Sequence, residues 1–138
     1  MENRKLKTII AGSRHFEDYE MLCRMMMNCP WDITEVVSGH APGADTLGER
    51  FAKENNIPVK LFPAAWKKLG RAAGPVRNKA MADYAEALVA FLYPHSKGTK
   101  SMIGFAHKKD MPIMTVYIDT GDCVVENDFP VLIDEVFE

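Results

Sequence analysis

The 138-residue sequence predicts an α/β fold built on a mainly parallel sheet of about five strands, and three observations carry that prediction. Short apolar runs alternate with segments of helical periodicity along most of the chain. One run, Ala87 to Leu92, is apolar at every position, as expected of a strand buried on both faces of a parallel sheet. Glycine, serine and proline gather directly after the runs, where strand-to-helix loops would fall.

Thr8 to Ala11 forms the first predicted strand, closed by Gly12. A helix follows over Glu17 to Asn28, with Tyr19, Leu22, Cys23 and Met26 at helical spacing. The Met25-Met26-Met27 cluster within it reads as core filler. Glu35 to Ser38 is the second strand. Ala44 to Asn55 is the second helix, in which Ala44, Leu47, Gly48, Phe51 and Ala52 form one apolar stripe whose small members allow close packing on a sheet. Pro58 to Phe62 is the third strand. Pro75 suits the first turn of a helix running through Tyr84, with Val76, Ala80, Met81 and Tyr84 inward. After the fourth strand at Ala87 to Leu92, Gly98 to Lys109 supplies a helix with Met102, Ile103 and Ala106 inward. Ile113 to Ile118 is the fifth strand, and a weak helical signal follows Pro130. Parallel strands joined through helices require right-handed crossovers.

Composition narrows the class. With 47% hydrophobic and 26% charged residues, the expectation is one globular domain over residues 1–138, with an acidic C-terminal extension at 119–138. The longest apolar run, Ala87 to Tyr93, is far short of the roughly 20 residues needed to cross a bilayer, and no signal-like apolar stretch opens the sequence. A cytoplasmic protein with no membrane partner is expected. Cys23, Cys29 and Cys123 are odd in number and form no CxxC, so reduced thiols are expected, with no disulfide framework and no zinc ribbon. Charge is unevenly spread. From Lys60 to Lys109 there are ten basic residues against two acids, whereas the segment from Asp119 onward carries seven acids and no base. That pattern argues against a general polyanion-coating protein and for a local cationic face suited to a small phosphorylated ligand, weighed against an ordinary solvated lysine surface.

In open parallel sheets, ligands bind beyond the carboxyl ends of the strands. Three such ends carry polar, glycine-containing loops: Gly12-Ser13-Arg14; Ser38-Gly39-His40-Ala41-Pro42-Gly43-Ala44-Asp45; and His95-Ser96-Lys97-Gly98-Thr99. Glycine lets the backbone approach a ligand, and the free N–H groups of a following helix favour an anion. Ser13, Ser38, Ser96 and Thr99 add hydroxyls, and Arg14 offers a fork for phosphate. Any one of these loops alone reads first as a capped tight turn; three at one sheet edge reverse that and point to a site. Walker A and GxGxxG patterns are absent, which disfavours a P-loop NTPase or a standard NAD dehydrogenase.

The order Gly12-Ser13-Arg14, Ser38-Gly39-x-Ala41-x-Gly43-Ala44-Asp45, Trp66, Gly70-x-Ala72-Ala73-Gly74-Pro75-x-Arg77-Asn78 and Ser96-x-Gly98-Thr99 closely resembles the YspA-like (cpYpsA-related) branch of the SLOG superfamily. That superfamily includes the Smf/DNA-processing protein A Rossmann-like domain and the Lonely Guy phosphoribohydrolases. The resemblance runs from about Ile9 to Tyr117. It implies a Rossmann-like three-layer sandwich with a pocket for a nucleotide or nucleotide-derived molecule, and a homo-oligomer paired through helices beside that pocket. Carried over by position, it places Gly12, Ser13, Arg14, Gly39, Gly43 and Asp45 around phosphate or ribose, with Asp45 alternatively capping its helix. It also makes Arg77-Asn78 a phosphate or sugar contact, the alternative being a surface ion pair.

One departure bears on chemistry. In Lonely Guy enzymes the loop reads Gly-Gly-x-Gly-Thr-x-x-Glu, and its glutamate is thought to assist N-glycosidic cleavage. Here Gly98-Thr99-Lys100-Ser101 is followed by Met102, which cannot transfer a proton, so hydrolysis would need another acid such as Asp45. The expectation is a binding protein that acts as sensor, carrier or sequestering protein, with no catalytic residue assigned and no cofactor or metal. His15, His40 and His95 fall at the same sheet edge without metal-ligand spacing; His40 stands where the family has glycine and is read as a ligand contact. Trp66, beside Lys67-Lys68 and Arg71, reads as packing in preference to a base platform, and the segment around it as a lid hinged at Gly70 and Gly74 if it moves. Single-stranded nucleic-acid binding is the third reading, disfavoured by the acidic tail and by the scarcity of aromatics along the basic stretch.

Overall fold

In the computed structural model, residues 3–128 are described, and the helical signal after Pro130 lies outside them. The elements run β1 (Lys5–Gly12), α1 (Tyr19–Met27), β2 (Asp32–Ser38), α2 (Ala44–Glu54), β3 (Val59–Leu61), α3 (Trp66–Leu69), a 3₁₀ turn (Gly70–Ala72), α4 (Ala73–Tyr84), β4 (Ala87–Leu92), α5 (Lys97–Lys108), β5 (Ile113–Tyr117) and β6 (Cys123–Glu126). Six strands form one sheet in the order β3-β2-β1-β4-β5-β6, and every pairing is parallel except β5 with β6. None of the described helices is long and apolar enough to cross a membrane.

The sheet is buried on both faces because its central strands alternate between two cores. Ile10, Val36, Ala87, Val89 and Phe91 pack with Leu22, Met26 and Phe51 of α1 and α2. Ile9, Val37, Leu88 and Ala90 pack with Met81, Ala82, Met102 and Ala106 of α4 and α5. All six residues of β4 are buried, which accounts for its uninterrupted apolar sequence. The stripe predicted on α2 performs as expected: a Cβ on Gly48 would lie 2.7 Å from Ile10 Cγ2, so glycine there sets the distance between helix and sheet. These layers confirm the α/β three-layer prediction.

Three features differ from the sequence reading. The sixth strand was unforeseen: Cys123 to Glu126, inside the acidic extension, pairs antiparallel with β5 after a turn in which Gly121 takes φ 78°. Its acids are compatible with an edge strand, where charged side chains reach water. On α4, Val76 is 52% exposed, and the buried positions are Ala73, Asn78, Met81 and Ala82. A polar residue, Asn78, replaces apolar packing there because the start of α4 faces a cleft. Within the methionine cluster of α1, Met26 is core but Met27 is 76% exposed.

Candidate functional site

Strand order reverses between β1 and β4, and the loops leaving their carboxyl ends diverge there to opposite faces of the sheet. A cleft of about 520 Å³ opens at this point, with Ala11, Met81 and Met102 among its lining residues. A side cavity of about 250 Å³ adjoins it, and Arg14, Ala41, Trp66 and Arg77 border both.

The β1 and β2 loops form a wall whose polar groups satisfy one another. Ser13 N–H donates to Phe91 O at 2.8 Å, and Phe16 stacks on Phe91 with ring centroids 5.2 Å apart, which pins the β1 loop to β4. The Ser13 carbonyl accepts the first N–H of α2, from Ala44, at 3.1 Å. Gly43 makes that approach possible: its φ is 85°, and a Cβ would come within 2.6 Å of Arg14 Cα. Gly12 is equally constrained, since a Cβ there would collide with the Phe91 carbonyl and lie 2.8 Å from Ala44 Cβ.

Asp45, in the first turn of α2, is 5% exposed and accepts the Ala41 N–H at 3.2 Å. It does not cap its helix; Gly43 holds the N-cap position without a side-chain bond. Burial pushes the carboxyl up to about 6, against the opposing pull of the Ala41 N–H and the Arg77 guanidinium. Arg77 is not a surface ion pair. Its Nη1 donates to Gly39 O at 2.5 Å and its Nε to Asn78 Oδ1 at 3.0 Å. Burial lowers its pKa, the Asp45 carboxylate opposes that, and the Arg14 guanidinium adds to the lowering.

The β4–α5 side is open. Ser96 Oγ accepts the Tyr93 N–H at 3.0 Å and closes the turn without capping the helix, so α5 has no side-chain cap and no acid in its first turn. The N–H groups of Lys97, Gly98 and Thr99 find no partner among the described residues. All three residues line the cleft together with Ser96. Asn78 Nδ2 reaches across from α4 to Gly98 O at 3.3 Å and holds the loop in place.

Of the residues predicted from sequence, Gly12, Ser13, Arg14, Asp45, Arg77, Asn78, Ser96, Gly98 and Thr99 line the main cleft. Gly39 and His40 border the side cavity. Ser38 and Ala44 are fully buried and, like Gly43, line neither cavity. Ser38 Oγ donates to Glu49 Oε2 at 2.6 Å, and His40 Nδ1 lies 3.0 Å from the same oxygen. His40 adopts φ 59°, the left-handed region that favours glycine.

His15, His95 and Lys97 line the cleft as well. Lys97 was missed as a site residue, although its place between Ser96 and Gly98 marked it. Trp66 departs from the packing expectation: it is 52% exposed and borders both cavities. The ten basic residues between Lys60 and Lys109 do not all join one cationic face. Arg77 and Lys97 reach the cleft, while Lys79 and Lys109 pair with Asp83 at 2.9 and 2.8 Å.

A mostly parallel sheet in this order, with a cleft at its reversal, defines a Rossmann-like fold. Within that class, residues 6–69 match the YspA, cpYpsA-related SLOG family, the branch that the motifs resemble. No curated protein and no solved structure matched the chain.

Proposed function

We propose that the protein binds a nucleotide or nucleotide-derived small molecule in the main cleft, as a sensor, carrier or sequestering protein. The observation that carries this reading is the uncapped start of α5: three unpartnered N–H groups, the helix dipole and Lys97 converge on a cleft that Arg14 also lines. Among the described residues, those lining the cleft include the cations Arg14, Arg77 and Lys97 and one carboxyl, Asp45. Such a balance favours an anion. The SLOG resemblance supports a nucleotide-related ligand over a bare oxyanion. Native mass spectrometry of the purified protein, followed by denaturation and identification of what is released, tests the reading. A retained intact nucleotide is the expected result; an empty protein that binds no nucleotide by calorimetry overturns it.

A second reading, hydrolysis of a nucleoside monophosphate at its N-glycosidic bond, is favoured by one observation. Asp45 lines the cleft with its carboxyl raised to about 6, in the range of a general acid. Against it, Met102 occupies the position of the relatives' glutamate and is 1% exposed. Release of free base from a nucleoside monophosphate, lost in Asp45→Asn, would establish turnover.

A further inference from the structure

We propose that Trp66 is a stacking platform for a planar heteroaromatic ring, so that the ligand is an anion carrying a base and not a phosphosugar alone. This rests on the anion-binding reading of the cleft and adds the chemistry of the ligand's other end.

Trp66 opens α3, and neither α3 nor the 3₁₀ turn that follows buries a single residue. An indole on such a segment contributes little to the core. Its surroundings are those of a binding surface: the ring is half exposed, borders both cavities, and rests over Gly74, where an added Cβ would meet it at 3.4 Å. The ring edge at Cη2 touches the start of α4 there, while half of the residue stays exposed. Arg14, the other large exposed side chain common to both cavities, has no ion pair or hydrogen bond among the described residues. Indole and guanidinium both stack on π-faces, and Arg14 can also reach an anion. A ring entering where the cavities meet is therefore offered two planar surfaces.

The second tryptophan makes the platform measurable. Trp31 is 2% exposed, with Nε1 donating to Thr8 Oγ1 at 3.0 Å, so changes in solvent-accessible indole fluorescence report Trp66. The probes are AMP, GMP, CMP and UMP, compared with ribose 5-phosphate and inorganic phosphate, by calorimetry and fluorescence. At least one nucleoside monophosphate should bind about 5- to 100-fold more tightly than ribose 5-phosphate, as stacking on one aromatic predicts. Trp66→Ala should remove that advantage while keeping ribose 5-phosphate affinity, and Trp66→Phe should retain most of it. Binding of the best monophosphate should also shield the Trp66 fluorescence from acrylamide. Equal affinity for nucleotides and ribose 5-phosphate, or an unchanged advantage in Trp66→Ala, overturns the platform and leaves the anion cleft intact. Failure of every probe, phosphate included, overturns the anion reading and the platform with it.

Discussion

The wall formed by the β1 and β2 loops and the loop that leads into α5 look alike in sequence and differ in what their polar groups have left to give. At the start of α2, the first N–H is taken by the Ser13 carbonyl and the first turn contains the Asp45 carboxyl, so the positive end of the helix dipole is already answered from within the protein. At the start of α5 there is no cap and no acid, and Lys97 adds positive charge. Glycine has a different task in each. Gly12 and Gly43 are required by backbone contact, whereas nothing lies within 4 Å of a Cβ on Gly98. The first is a self-satisfied wall and the second an open receptor, and the residue type alone does not distinguish them.

The strongest way to break this comparison is to crowd the wall. Gly12→Ala forces a methyl group into the Phe91 carbonyl and against Ala44, and should cost about 3 kcal/mol or more in urea denaturation. A loss below about 1 kcal/mol would mean that the wall yields, and that its packing does not position the cleft.

Asp45 tests the electrostatic half of the same contrast. Its carboxyl is raised from 3.8 to about 6 in the folded protein, so between those values the native state holds more proton than the unfolded chain. Stability should therefore fall as pH rises from about 4 to 6.5, by roughly 2–3 kcal/mol from this group alone. Asp45→Asn should flatten that part of the profile. An unchanged slope in the variant would place the pH dependence elsewhere and leave Asp45 an ordinary ionised carboxylate held by Ala41 and Arg77.

Much of this contrast could not have been read from sequence. The helices and parallel strands were legible because burial imposes periodicity: Ile9 and Ile10 point to opposite cores, and the α2 stripe follows the sheet. The cleft was legible as a place, since three polar loops had to fall at one sheet edge. What remained hidden depends on which partner each polar group meets in three dimensions. Ser38 was read as a ligand hydroxyl, yet it is sealed under Glu49, and Glu49 lies eleven residues away with no motif to tie the two together. Trp66 was read as packing because a lone indole usually packs; its exposure follows from a short helix that never reaches the sheet. β6 was missed because the acids around Val124-Val125 resemble a solvated tail, although Gly121 supplied a turn signal.

Among the cations, Arg14 and Arg77 sharpen the distinction between binding and support. Arg77 ties α4 to the β2 loop through Gly39, whereas Arg14 is exposed and makes no such bond among the described residues. Arg14→Ala should lower nucleotide affinity about 10- to 100-fold, the loss of a charge-assisted hydrogen bond, with the melting temperature unchanged. Arg77→Ala should lower affinity and also destabilise the fold by about 1–3 kcal/mol, because the Gly39 carbonyl loses its hydrogen bond and Asp45 a nearby cation. Calorimetry and thermal unfolding on both variants separate the roles. Equal melting losses would place both arginines in the scaffold.

The smallest expected effect is the most discriminating for the open loop. Gly98→Ala adds a methyl group where no atom lies within 4 Å, in the first turn of a helix where the backbone needs no positive φ. It should stabilise the protein by about 0.5 kcal/mol, since alanine loses less backbone entropy than glycine on entering a helix. If a ligand phosphate sits against the unpartnered N–H groups, the same methyl group will crowd it, and affinity should fall although stability rises. Opposite signs in the two measurements are what an open anion receptor requires. Gains in both would mean that Gly98 faces solvent and that the phosphate is held by Arg14 and Lys97 without close backbone approach.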